Sequence, residues 1–171
     1  MSSATNASGV TACRIEGPSA IEAREFKTFM FPLVGTATAD LPASPGAVQH
    51  DAAGSAALLH FAPGRFLVPA PGPNMIRHLD ALAAAGVGAV FNVGGKWRAI
   101  RIIGAGAEHL LAAGADVAAV LSHRACAAVQ LLDCPVVLAR ASGGFELWVQ
   151  ASYATDLAGS LERIRASSPA P

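Results

Sequence analysis

The sequence predicts an α+β fold in which an antiparallel sheet carries helices on one face. Three observations carry that reading. Short apolar runs recur in pairs joined by turn residues. Helical periodicity is confined to separate stretches between those pairs. The resulting order, hairpin, helix, hairpin, helix, several strands and a closing helix, lacks the strict strand–helix alternation of a parallel sheet.

Residues 1–25 are rich in Ser, Thr, Ala and Gly with little periodicity, and they read as a flexible N-terminal segment. A single domain is expected over residues 26–165, followed by a flexible tail over 166–171. The apolar run 26–34 reads as an irregular strand, and Pro42, Pro45 and Gly46 mark a loop. Residues 57–61 and 66–68 form a predicted hairpin across Pro63-Gly64. Pro69, Pro71 and Pro73 close that unit. Met75, Ile76, Leu79, Leu82 and Ala83 then recur at helical spacing, which predicts a helix over 74–85 with Gly86 as its stop. Residues 87–93 and 97–103 read as a second hairpin across Gly94-Gly95. Ala107, Leu110 and Leu111 form the apolar side of a short helix ending at Gly114. Strands are expected at 127–132, 136–139 and 145–149. Ser152 suits an N-cap, and Ala154, Leu157, Leu161 and Ile164 make the stripe of a last helix.

Composition narrows the function classes. The chain has 171 residues, enough for one domain that buries about 70% of its unfolded surface without a metal or disulfide framework. Charged residues are 14%, against roughly 25% in an ordinary domain, and aromatics only 6% of a chain that is 53% hydrophobic. Small side chains therefore build the core, and many solvent-facing positions must be alanine, which suits a partly covered surface and a subunit. Twelve Lys and Arg balance twelve Asp and Glu, so no global field draws nucleic acid or an anionic membrane. The longest uncharged stretch, 81–95, falls short of the ~18 residues that span a bilayer. Arg14 and Glu16 fall where the apolar core of a signal peptide would lie. Three widely spaced cysteines, Cys13, Cys126 and Cys134, argue for reduced thiols and a cytoplasmic protein.

The search for chemistry yields no catalytic, cofactor-binding or metal-binding set. Gly104-Ala105-Gly106-Ala107-Glu108-His109 has His109 where a dinucleotide fingerprint needs its third glycine. Gly94-Gly95-Lys96 lacks the remaining elements of a phosphate loop. His123, Cys126 and Cys134 do not make up four zinc ligands, and Ser122, His123 and Asp133 lack the flanking glycines of a nucleophile turn. His50, His60, His78 and His109 stand singly. One basic cluster, Lys96, Arg98 and Arg101, lies beside Trp97, and Trp148 ends a later strand. Interfaces concentrate their energy in aromatic and arginine anchors, so Trp97, Arg98, Arg101 and Trp148 are the expected partner contacts. Pleating places Trp97 and Arg101 on one face and Arg98 on the other, and the pair Trp97 with Arg101 is the expected anchor.

Four segments between residues 56 and 164 resemble the gamma subunit of heterotetrameric sarcosine oxidase, a relative of the folate-binding domains of glycine cleavage T-protein. They are Ala57-Leu58-Leu59-His60-Phe61 with its turn and second strand; Phe91-Asn92-Val93-Gly94-Gly95-Lys96-Trp97-Arg98-Ala99-Ile100-Arg101; Cys126-Ala127 with Cys134-Pro135-Val136-Val137-Leu138; and Phe145-Glu146-Leu147-Trp148-Val149 with Ser152-Tyr153-Ala154. Asn92 stands where the family usually has Asp, and Ser122-His123-Arg124 replaces a Pro-Pro-Gly-like approach to Cys126. The resemblance implies a T-protein-like domain serving as the noncatalytic gamma subunit of a flavin-dependent amine oxidase, assembled with alpha, beta and delta subunits. The alpha and beta subunits would hold FAD, FMN, NAD and tetrahydrofolate, and the delta subunit zinc. Sarcosine or a related N-methylated amino acid would be demethylated, its one-carbon unit passing to tetrahydrofolate. Two alternatives stay open: a stand-alone folate-binding aminomethyltransferase-like or iron–sulfur assembly protein, and a homodimeric small-molecule-binding regulatory module.

Overall fold

The computed structural model describes residues 10–16, 20–24, 45–50, 56–71, 73–86, 88–93 and 95–167. Its strands are β1 (Val10–Glu16), β2 (Ala20–Arg24), β3 (Ala47–His50), β4 (Ala56–Ala62), β5 (Arg65–Pro69), β6 (Ala89–Asn92), β7 (Trp97–Gly104), β8 (Cys126–Leu131), β9 (Cys134–Ala141) and β10 (Gly144–Gln150). The helices are α1 (Pro73–Ala84), α2 (Ala107–Ala112), α3 (Val117–Val120) and α4 (Ala151–Ser167). The α+β class holds, with antiparallel pairing in the described sheets. Among the described residues there are two five-stranded sheets, however, where the sequence suggested one: β1-β7-β10-β9-β8 and β3-β4-β5-β2-β6.

The first sheet is covered on both faces. Ile100, Ile102, Val136, Leu138, Phe145, Leu147 and Val149 pack beneath α2, α3 and α4, whose Leu111, Val117, Leu157 and Leu161 are buried against them. Each fully buried leucine of this layer contributes about 1.5–3 kcal/mol. The alternate residues of the same strands meet the second sheet, where Trp97, Ala99, Val137, Ala139 and Trp148 close on Leu59, Phe61 and Leu67. Gly46 and His50 tie the sheets together: Gly46 O accepts from Cys126 N at 2.9 Å, and His50 Nε2 lies 2.8 Å from Arg140 O.

Several expectations hold. The hairpin across Pro63-Gly64 is β4–β5, with Gly64 at φ 63°, and the predicted helix over 74–85 is α1. The closing helix buries Ala154, Leu157, Ala158 and Leu161 along one stripe. Others are corrected. The segment 1–25, expected to be flexible, supplies β1 to an edge of the first sheet and β2 to the interior of the second. The second predicted hairpin does not form, since β6 pairs with β2 while β7 crosses to the other sheet and pairs with β1 and β10. The strand expected at 26–34 lies outside the described residues.

Candidate functional site

β7 and β10 run antiparallel with Trp97 opposite Gln150, Ala99 opposite Trp148 and Arg101 opposite Glu146. Alternation then sets Trp97, Ala99, Arg101, Glu146 and Trp148 on the face toward the second sheet. This corrects the expected interface. Trp97 is 7% exposed and Trp148 2%, so both indoles are consumed by the chain's own inter-sheet core and have almost no surface to offer a partner. Neither indole N–H has a hydrogen-bond partner among the described residues.

The basic cluster is divided in the same way. Arg101 Nε lies 3.3 Å from Glu146 Oε1, a cross-strand ion pair in which the carboxylate is buried while the arginine side chain remains 23% exposed. Arg98 points to the opposite, helix-covered face and donates through Nη1 to Trp97 O at 2.9 Å. Lys96 sits 5.7 Å above the Trp97 ring. Of the four expected contacts, Arg101 alone combines a partly exposed side chain with a place on the inter-sheet face.

The other sequence candidates do not converge. Cys126 is buried, its Sγ–H directed at Ala47 O and His60 O at 3.3 and 3.5 Å, and burial pushes the thiol up to about 12. His123 is exposed on the approach to β8, so it does not share a site with that thiol. Ser122 Oγ donates to Ala119 O, and Asp133 lies beyond the far end of β8. His60 is buried and stacks on Phe66 at 4.2 Å. Gly104-Ala105-Gly106 leads into α2, and Gly104 and Ala105 line a cavity of about 290 Å³ with Glu108 and Arg140. A second cavity, of about 400 Å³, lies between α3 and β8 and is bordered by Ser122, His123 and Arg124. The sequence reading treated those three residues as a departure from a family pattern. The signal it missed was the uncharged run that follows them, Cys126-Ala-Ala-Val-Gln-Leu131, at a sheet edge.

No known protein-family profile matches the chain, and no curated protein matches its sequence. The likeness is one of fold, to a solved structure. That structure is heterotetrameric sarcosine oxidase from Corynebacterium sp. U-96 in complex with pyrrole 2-carboxylate: the match covers 95% of this chain and 90% of that one at a TM-score of 0.70, with 18% identity. Among the described residues no helix is long and apolar enough to cross a membrane.

Proposed function

We propose that this chain is the gamma-type subunit of a heterotetrameric, flavin-dependent amine oxidase acting on sarcosine or a related N-methylated amino acid. The observation that carries the reading is reciprocal coverage. A fold matched over 95% of this chain and 90% of its counterpart corresponds to one whole small chain of the oxidase, not to a domain cut from a larger one. The four sequence segments that resemble the gamma subunit point the same way, as does a chain with only 14% charged residues.

In this reading the chain's role is structural. Alpha, beta and delta subunits are its partners, the flavins, NAD, tetrahydrofolate and zinc belong to them, and the complex works in the cytoplasm. Titrating the isolated chain with tetrahydrofolate, followed by tryptophan fluorescence and calorimetry, tests the assignment. No saturable binding is expected; stoichiometric binding would contradict a noncatalytic role and favour the folate-dependent alternative.

A further inference from the structure

Among the described residues the two sheets end in four edge strands, β1 and β8 in the first and β3 and β6 in the second. An open edge is a template for any extended chain, and folded proteins interrupt such edges with bulges, charges or brevity. Three of the four carry such a device. β1 has a register shift between Val10 and Ala12 and bears Arg14 and Glu16. β3 has four residues and a shift between Gln49 and His50, and β6 has four residues. β8 is the exception: six residues, uncharged, without proline and in unbroken register with β9.

The hairpin determines which backbone groups of β8 are open. Leu132 and Asp133, at φ 48° and 63°, form a two-residue loop, so the flanking pair Leu131 and Cys134 is hydrogen-bonded and bonding alternates from there. Val129 and Ala127 bond across to Val136 and Leu138. Gln130, Ala128 and Cys126 therefore turn their N–H and C=O away from β9. Pro135, which has no N–H to give, sits opposite Gln130 as this alternation requires. The outward N–H of Cys126 is taken by Gly46 O. Those of Ala128 and Gln130 bond no described residue, and both residues are exposed.

The cavity of about 400 Å³ lies along this open stretch. Ala119, Val120, Ala127 and Val129 give it apolar walls, His123 and the cationic Arg124 form its rim, and its described lining contains no acidic residue. We propose that β8 is a docking edge for an extended segment of a partner subunit, which adds a sixth strand to the first sheet. The incoming segment places an apolar side chain over Ala127 and Val129 and a carboxylate beside Arg124. Charge complementarity selects this occupant, because the Arg124 guanidinium on the rim has no acidic counterpart in the described lining. The inference rests on the subunit reading above.

Hydrogen exchange on the untagged complex from its native source, compared with the free chain, tests it. The Ala128 and Gln130 amides are expected to exchange at least about tenfold more slowly in the complex, while Ala127 and Val129 are protected in both states. Ala128→Pro removes an N–H that bonds no described residue, so it is expected to release the partner at an unchanged urea midpoint. Should proline disturb the fold, Ala128→Lys and Arg124→Glu keep the test, and each is expected to deplete the partner from the complex. Equal exchange of Ala128 and Gln130 with a partner bound, or full stoichiometry in a folded Ala128→Pro complex, overturns the docking edge and leaves the subunit reading standing. Concentration-dependent protection of the same amides in the free chain assigns the edge to a second copy and also overturns it. A chain that purifies with no partner removes the subunit reading and the docking edge together.

Discussion

Replacing Trp148 by alanine separates a core residue from an interface anchor. The side chain is 98% buried inside the isolated chain, given its exposure of 2%. A buried tryptophan removes about 200 Å² from water, and at ~25 cal/mol per Å² this gives an upper bound of about 5 kcal/mol. Measured losses for Trp→Ala in cores are about 3–5 kcal/mol. With a urea slope of about 2 kcal/mol per molar, the midpoint of the free chain is expected to fall by about 2 M. Trp97→Ala, at 7% exposure, is expected to act similarly, and the double variant to depart from additivity because the two rings occupy diagonal positions on β7 and β10. Trp148→Phe retains an aromatic ring and deletes an N–H that has no described partner, so it is expected to lose less than half as much. The assay is urea unfolding of the free chain followed by circular dichroism. A midpoint shift equivalent to less than about 1 kcal/mol, accompanied by loss of assembly, would refute the burial argument and restore Trp148 as an anchor.

The Cys126 thiol, raised from 9.0 to about 12 by burial, keeps its proton in the folded chain at pH values where the unfolded chain gives it up. Its contribution is whole below pH 9 and is lost as pH rises toward 12, by about 1.4 kcal/mol per unit, and Cys126→Ala is expected to flatten that part of a stability-versus-pH curve. Gly46 holds φ 106°, and a Cβ there would lie 2.8 Å from Arg124 Cγ, so Gly46→Ala is expected to cost about 1–3 kcal/mol in urea unfolding. Asp133 occupies the second left-handed position of the β8–β9 turn, and Asp133→Gly is expected to gain about 0.5–1 kcal/mol. The Cys134 thiol is raised first by burial and then by Asp133 and Asp156, so the same variant is expected to lower its pKa and speed its alkylation.

Local signals were legible where structure is local. Pro63-Gly64 marks the β4–β5 turn, Gly86 follows α1, and the spacing of Ala154, Leu157 and Leu161 fixes the buried side of α4. The division into two sheets was not legible, because Gly94-Gly95 reads as a hairpin turn from its neighbours alone. The partners that draw β6 and β7 apart, β2 and β1, lie far away in the sequence, in a segment whose small residues hide its strand pattern. Alternation placed Trp97 and Arg101 on one face correctly. Which face is buried could not be read from it, since helices cover one side of the first sheet and the second sheet the other. An arginine on such a strand looks like surface until its cross-strand carboxylate is known. Glu146, set in Phe-Glu-Leu-Trp-Val, was the matching sign in the sequence.

The mass and absorbance of the untagged chain as purified from its native source test the subunit assignment most directly. The expected result is a single species in which this 17.3 kDa chain travels at fixed stoichiometry with larger, flavin-bearing chains and oxidises sarcosine or a related N-methylated amino acid. A free 17.3 kDa monomer or a homodimer, colourless and without larger partners, would contradict it.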